Sequence, residues 1–461
     1  MSNPSNRKIQ YLAGLCVSFA FTFTGAVISW PSPAIPKFIY GNTDIVISNE
    51  QTSWVVSLAA LGALPGCYIG KVLSERLGRR RTVLSASLPG ILGGLIILFT
   101  TSPYVMCAAR VLMGISNGIT AVVTMIYLTE IADTEIRAAL GMLVQVMNNL
   151  GGLIIYSIGP FVSYTALNSL VLSFSVLYGI ICVWVPETPY FHLTRGKIAA
   201  AKKDFMVIKN TKDDVWASEQ IDAMRIHVQQ GMENKTTFKE LVTNKKYRNT
   251  IYIIAGLKIL QYMTGSLAIQ SYMEMIFRHT TRISGPMVSI VYGFVQLGAG
   301  IGATVLARYY GRRILILTSC IGVAISLTII GIYFYLQDSM NITSSILSSI
   351  PIIGVFGFNI LYAIGLGNIP YILQAELFPI NVKTIASSSA TMMACILNFF
   401  VTKTYQNIKD NFGLYTVFWS FACIAYIGIF FIYFYVPETK GKSLEEVQGM
   451  HGGVEVERLN K

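Results

Sequence analysis

Charged residues recur at matched positions in the two halves of the chain. Three motifs occur twice: Gly78-Arg79-Arg80 and Gly311-Arg312-Arg313, Pro186-Glu187-Thr188 and Pro437-Glu438-Thr439, and Glu130 seven residues before Arg137 and Glu376 seven residues before Lys383. A guanidinium binds a carboxylate through two parallel hydrogen bonds, so these residue types favour reversible ion pairing. We see no nucleophile with an adjacent base, metal cluster or phosphate loop, and therefore expect no enzyme activity, metal or cofactor.

Long uncharged segments must position these charges. The stretch 138–186 has 49 residues without Asp, Glu, Lys or Arg, and similar stretches recur along the chain. About 20 apolar residues span a bilayer as a helix, because backbone polar groups must be satisfied internally. The pattern predicts an all-α membrane protein with spans at roughly 10–30, 52–73, 83–101, 104–128, 138–162, 165–185, 250–277, 286–307, 314–336, 347–373, 384–404 and 414–436.

The repeated motifs are offset by 233, 251 and 246 residues, which indicates a duplicated six-helix unit. Duplication of this kind is typical of alternating-access carriers. Helical periodicity in Lys197–Lys209 and Trp216–Gln229 favours short amphipathic helices between the halves, and a flexible tether is the alternative. We predict four regions: an N-terminal bundle at 1–185, a cytoplasmic linker at 186–249, a C-terminal bundle at 250–436 and a cytoplasmic tail at 437–461.

The basic residues predict orientation, since Lys and Arg are retained on the cytoplasmic side. With both termini in the cytoplasm, 28 of the 35 Lys and Arg residues lie on that side and five on the other. The net charge of +12 then reflects topology and attraction to an anionic membrane surface. We expect contact with the lipid bilayer and no nucleic-acid partner.

Taken together, the motifs resemble those of sugar porters of the major facilitator superfamily, and among these the insect facilitated trehalose transporters. The resemblance spans nearly the whole chain. It rests on the charged motifs above and on further segments: Arg110-x3-Gly114, Tyr127-x2-Glu130, Gln145-x5-Gly151, Gln261-x2-Thr264-Gly265, Gly367-x2-Pro370, Glu376-Leu377-Phe378-Pro379, and, for the trehalose branch, 30–36 and Thr402-Lys403-Thr404.

The resemblance implies a facilitative carrier in the plasma membrane, with trehalose or another small saccharide or polyol as substrate. No Asp or Glu precedes Asp44, so the first helix lacks the carboxylate with which proton-coupled relatives carry a proton. Glu274 is the rival proton carrier, although its place near a helix end suggests a surface role. A proton-coupled symporter and a non-transporting sugar sensor remain the alternatives.

The charged motifs at the predicted cytoplasmic helix ends are interpreted as a conformational latch, with simple retention charges as the alternative. Arg79 and Arg80 are expected to reach Glu130 and Glu187, and Arg137 to join them. Arg308 and Lys383 depart from the family pattern and predict a softer second-half latch. The full predicted gate comprises Glu75, Arg76, Arg79, Arg80, Glu130, Arg137, Glu187, Arg312, Arg313, Glu376, Lys383 and Glu438.

The resemblance also implies substrate contacts from polar residues inside apolar spans, which usually face the bundle interior. These candidates are Gln145, Gln261, Gln296 and Asn398, with Tyr262 and Tyr371 standing where the family has Gln and Trp. Interhelical hydrogen bonding is the alternative for each.

Two further positions carry expectations of their own. Lys258 is charged inside a span, and its stem is long enough to reach the cytoplasmic interface, which we favour over a role in a site. Asn341-Ile342-Thr343 is a glycosylation sequon in a predicted outer loop.

Overall fold

The computed structural model describes residues 7–41, 43, 45–133, 135–233, 240, 243–278, 284–340, 349–378 and 380–440. Within these ranges, twelve helical segments are long and apolar enough to cross a membrane. The predicted all-α class and the predicted number of spans are confirmed. The chain divides into two compact units, residues 1–234 and 235–461.

The first unit holds six spans followed by three shorter helices. Its spans are Lys8–Tyr40, Asn49–Leu77, Arg79–Phe99, Pro103–Ile131, Ala139–Phe161 and Tyr164–Trp184. The shorter helices are Pro189–Thr194, Ile198–Lys209 and Asp214–Glu233. The fifth span belongs to helix Arg137–Ile158 plus a 3₁₀ turn, and the sixth is helix Tyr164–Ile181 plus another.

The first span continues beyond its predicted end near Trp30. It consists of helices Lys8–Ser18, Ala20–Ser29 and Pro31–Tyr40. Pro31 occupies the first position of the third helix, where proline's missing N–H and fixed φ are tolerated. The predicted bounds of 10–30 were therefore too short at the C-terminal end.

The second and fourth spans pack closely through glycines. A Cβ added to Gly62 would overlap the Val111 carbonyl oxygen, and one added to Gly114 would overlap the Ala59 carbonyl oxygen. Small residues let membrane helices approach at backbone distance, where dispersion and weak polar contacts are strongest. These glycines therefore set the distance between the second span, which ends just before Gly78-Arg79-Arg80, and the fourth span, which contains Glu130.

The helices after the sixth span form a small core of their own. Leu193, Ala201, Phe205, Ala217 and Ile221 are buried together. Ile198–Lys209 and Asp214–Glu233 match the two segments predicted from helical periodicity. In this part of the described chain, the prediction of amphipathic helices is correct and that of a flexible tether is wrong.

Asp133, just after the fourth span, ties helix Ile198–Lys209 to the first span. Its carboxylate accepts hydrogen bonds from Lys209 Nζ and, at 3.1 Å, from Gln10 Nε2. Burial raises the pKa of Asp133, but the hydrogen bonds from Lys209 and Gln10 and the charges of Lys209 and Arg7 outweigh it, so the net pKa lies below its usual value. A carboxyl group whose pKa is lowered by folding stabilises the folded state at pH values above its ordinary pKa of about 3.9. That stabilisation is lost as the pH falls through the lowered pKa.

We expect Asp133→Asn to loosen helix Ile198–Lys209, because the amide keeps the shape but loses the charge that Lys209 faces. The pair is partly exposed, so the loss should be about 1 kcal/mol, which corresponds to roughly fivefold faster amide hydrogen exchange in that helix at pH 7. The matched control is Glu135→Gln, whose side chain is 70% exposed. Equal exchange in both variants would contradict a tie through Asp133.

The second unit contains the other six spans. They are Tyr247–Phe277, Gly285–Ala307, Arg312–Met340, Ile350–Gln374, Ile385–Phe412 and Leu414–Tyr435. The corresponding helices are Lys245–Met263, Ser266–Phe277, Gly285–Tyr309, Arg312–Met340, Ile350–Ile364, Ile369–Leu377, Ile380–Phe412 and Leu414–Tyr435.

Two spans of this unit are broken helices. The seventh breaks at Gly265, whose φ of +82° lies in the left-handed region that glycine adopts readily. The tenth breaks between Ile364 and Ile369. Such breaks release backbone carbonyls from helix hydrogen bonding, so side chains from neighbouring helices can bind them.

Candidate functional site

The first-unit charge cluster consists of Arg79, Glu130, Thr188 and Glu187. Arg79 donates to Glu130 from Nε at 3.0 Å and from Nη2 at 2.7 Å, which is bidentate pairing. The Thr188 hydroxyl donates to the same carboxylate at 2.5 Å. The Arg79 and Glu130 side chains are only 12% and 14% exposed, so water screens this pair weakly.

Glu187 binds backbone in place of the expected guanidiniums. Its Oε1 accepts from the N–H groups of Arg79 at 2.9 Å and Thr188 at 3.0 Å, and its Oε2 accepts from Arg80 N–H at 3.2 Å. A carboxylate at the first turn of a helix satisfies orphan donors and complements the helix dipole. Gly78 has φ +98°, and a Cβ there would overlap Glu187 Oε2, which explains the glycine of the motif.

Other predicted gate residues do not join this cluster. The Arg80 guanidinium donates to the Val183 carbonyl at 2.5 Å, and that of Arg137 donates to the Ala132 carbonyl at 3.4 Å. Glu75 and Arg76 are exposed, and among the described residues their backbone carbonyls accept from Arg195 at 3.1 Å. In this structure the guanidinium bonds of Arg80 and Arg137 go to backbone carbonyls and not to a carboxylate, so their expected reach to one is wrong.

The second-unit charge cluster has the same plan, with Arg312, Glu376, Thr439 and Glu438. Arg312 Nη2 donates to Glu376 at 3.1 Å, and Thr439 donates to that carboxylate at 2.6 Å. Glu438 accepts from the backbone N–H of Arg312 at 2.9 Å, as Glu187 does in the first unit.

The pairing in the second unit is looser than in the first. Among the described residues Arg312 Nε is buried without a partner, so the guanidinium binds Glu376 through one hydrogen bond instead of two. The Arg313 guanidinium donates to the Tyr433 carbonyl and reaches neither Glu376 nor Glu438. The side chains of Arg308 and Lys383 lie outside what the structure describes, so their predicted effect on this pair stays a prediction.

A polar cluster forms where the seventh span meets the break in the tenth; it comprises Lys258, Gln261, Tyr262 and Tyr371. Gln261 Nε2 donates to the Gly367 carbonyl at 2.9 Å, and its Oε1 accepts from Lys258 Nζ at 3.0 Å. The hydroxyls of Tyr262 and Tyr371 lie 3.1 Å apart. Three predicted substrate residues are thus adjacent.

Lys258 does not extend to the cytoplasmic interface. It is 1% exposed, and its Nζ lies 3.4 Å from the centroid of the Tyr371 ring. The stem is long enough to reach that interface, which was the expected position, but the side chain turns toward Gln261 and Tyr371. That expectation is wrong.

The remaining candidates lie elsewhere. Gln145, in the first unit, is exposed and donates to Asn149 at 3.0 Å. Gln296 is half-buried on the eighth span, and Asn398 holds its Oδ1 buried without a hydrogen-bond partner among the described residues. Glu274 is 5% exposed, so its expected surface role is wrong. Asn341 lies outside the described residues.

Arg110 is a buried cation of the first unit whose contacts the sequence did not predict. Its Nε donates to the Val55 carbonyl at 3.0 Å and its Nη1 to the Val27 carbonyl at 2.9 Å, while the guanidinium lies 5.1 Å from the Trp30 ring centroid. No carboxylate of the described residues pairs with it. Thr188 and Thr439 were also missed as partners, although both belong to the repeated motif.

Each of the two units thus contains an Arg–Glu–Thr cluster at matched positions of the repeat. A family model described as "Sugar (and other) transporter" matches residues 9–451. The chain belongs to this family. Membership agrees with the expectation of a multi-pass membrane transporter and not an enzyme.

Curated members of the sugar transporter family resemble the chain along most of its length. A facilitated trehalose transporter Tret1 of Polypedilum vanderplanki is 31% identical over 97% of this chain and 89% of its own. The Drosophila willistoni protein of that name is 30% identical over 97% of this chain. The chain spans about half, 51%, of the length of that relative.

Solved structures agree at the level of the fold. The xylose transporter XylE from E. coli in an inward open conformation has a TM-score of 0.77 and 20% identity, covering 96% of this chain and 99% of its own. A D-xylose-proton symporter has a TM-score of 0.72 and 19% identity over 94% and 99%. These identities support the shared fold alone.

Proposed function

We propose that this member of the sugar transporter family is a facilitative carrier of a small saccharide in the plasma membrane, with both termini in the cytoplasm. The observation that carries the proposal is the repetition of the Arg–Glu–Thr cluster in two six-span units. Positive residues concentrate on the side where these clusters would lie, which supports a cytoplasmic placement.

In the proposed cycle, the two clusters stabilise one conformation of an alternating-access carrier and loosen in the other. A buried bidentate pair favours the state in which it is intact, and the population of each state follows that free-energy difference. The first-unit pair has two guanidinium hydrogen bonds and the second-unit pair has one. The first unit therefore contributes more of the free-energy difference between the two conformations.

Two observations support uniport over proton symport. The relatives are facilitated trehalose transporters by name, which makes trehalose the first substrate to test. Arg110, buried in the first unit, is held by two backbone carbonyls and Trp30 and not by a titratable carboxylate. Among the described residues, therefore, no carboxylate pairs with Arg110. Glu274, buried in the seventh span, is the remaining candidate for a proton carrier, and removing the pH gradient tests it.

The test is uptake into vesicles containing the purified protein, with a panel of labelled mono- and disaccharides. We expect saturable flux, acceleration by unlabelled sugar on the opposite side, and no dependence on a pH gradient. Binding without flux would instead indicate a sugar sensor. Uptake that collapses when the pH gradient is removed would indicate a proton symporter.

Gln261→Ala is expected to raise the half-saturation concentration of the transported sugar about tenfold. The substitution leaves the Gly367 carbonyl and Lys258 without their shared partner, and an unmet buried polar group costs roughly 1–3 kcal/mol. Initial uptake rates over a range of sugar concentrations measure the change. Gln406→Ala, which removes a bond to Asp410 in the eleventh span, is the control. An unaltered half-saturation concentration would remove Gln261 from the site.

A further inference from the structure

Lys258 is a buried lysine whose Nζ contacts neutral groups. Its recorded contacts are the Gln261 amide oxygen at 3.0 Å and the face of the Tyr371 ring at 3.4 Å. No carboxylate of the described residues lies within ion-pair distance of its Nζ. A buried ammonium is unfavourable unless an opposite charge or several strong acceptors compensate it.

Tyr371 covers one side of the Lys258 Nζ and is itself accessible. Tyr371 is 49% exposed, whereas Lys258 is 1% exposed. An aromatic face stabilises a cation only in part, so the positive potential of Lys258 extends past the ring. When Nζ is protonated, its charge makes the accessible face of Tyr371 electropositive.

We propose that Lys258 is a specificity-determining residue that makes this protein prefer saccharides carrying one anionic group, such as a sugar carboxylate, over neutral saccharides. The inference rests on the proposed carrier function and names the substrate class for the polar cluster. Lys258 acts across Tyr371 on the ligand and also holds the Gln261 amide in place.

The expected preference follows from Coulomb attraction. An anion in contact with the accessible face of Tyr371 would lie about 7 Å from Nζ, given ordinary van der Waals contact with the ring. At an effective dielectric constant of about 20, the attraction corresponds to roughly a 10- to 100-fold gain in affinity. An effect of this size is measurable by competition.

The experiment compares glucuronate with glucuronamide as competitors of labelled sugar uptake in vesicles containing the full-length protein. The two compounds have the same shape and differ by one negative charge. We expect glucuronate to compete at least tenfold better. Lys258→Gln should bring the ratio of the two half-inhibition concentrations to within about twofold of one, whereas Lys258→Arg should preserve the preference.

Lys409→Gln is the matched control, because Lys409 is a half-buried lysine in another span of the same unit. It should leave the ratio unchanged. A second readout is electrical: transported glucuronate carries one negative charge, so an interior-positive potential should accelerate its uptake and leave glucuronamide uptake unaffected.

The outcomes separate the inference from the proposed function. Transport of neutral sugars without preference for glucuronate would overturn the role of Lys258 and leave the carrier intact. A Lys258→Gln variant that loses affinity for both compounds equally would show that Lys258 only positions Gln261. Absence of flux for every saccharide, charged or neutral, would overturn both proposals.

Discussion

Replacing Glu130 by Gln is expected to lower the transport rate at least tenfold while the protein still inserts and folds. The substitution removes the negative charge of the carboxylate that binds Arg79 through two hydrogen bonds and accepts a third from the Thr188 hydroxyl. Hydrogen bonds to charged groups contribute about 1.5–3 kcal/mol, so their loss shifts the equilibrium between conformations by roughly 10- to 100-fold. A carrier held in one conformation completes few cycles.

Equilibrium exchange of labelled sugar across vesicles measures this effect. Glu376→Gln removes the corresponding carboxylate of the second unit, where a single guanidinium bond is present, and should lower the rate only about threefold. Glu135→Gln, whose side chain is 70% exposed, should leave the rate unchanged. Equal rates in wild type and Glu130→Gln would refute a latch at this pair.

The two Arg–Glu pairs could be predicted from the sequence because each consists of two side chains whose types and repeated spacing are visible there. An arginine and a glutamate at repeated offsets led to the expectation that Arg79 would reach Glu130, and the structure contains that pair. The role of Glu187 could not be assigned in this way. Its partners are backbone N–H groups, which are identical at every helix start, so only the local course of the chain at Gly78 brings them together.

The polar cluster shows a different limit. Gln261, Tyr262 and Tyr371 were identified as candidates by matching a family pattern, and the structure places them together. Lys258 was misjudged because its distance from the helix end is visible in sequence, whereas the partner that attracts it is not. That partner, Tyr371, lies just after the break in the tenth span, 113 residues along the chain.

Gly114→Ala is expected to destabilise the first unit by about 1–3 kcal/mol net and to lower its melting temperature by roughly 5 °C. Alanine favours a helix over glycine by up to about 1 kcal/mol, which alone would stabilise the protein. The new Cβ, however, would overlap the Ala59 carbonyl oxygen, and a backbone atom cannot rotate away as a side chain can. The second and fourth spans must separate to accommodate it, as overpacked cores do.

Thermal unfolding of the purified protein in detergent, followed by loss of the monodisperse fraction, checks this expectation. Gly298→Ala is the matched control, because a Cβ at Gly298, also within a span, meets no heavy atom within 4 Å. It should leave stability unchanged or raise it slightly, since only the helix-propensity effect remains. Equal stability of Gly114→Ala and Gly298→Ala would show that Gly114 is not needed for the close packing of the second and fourth spans.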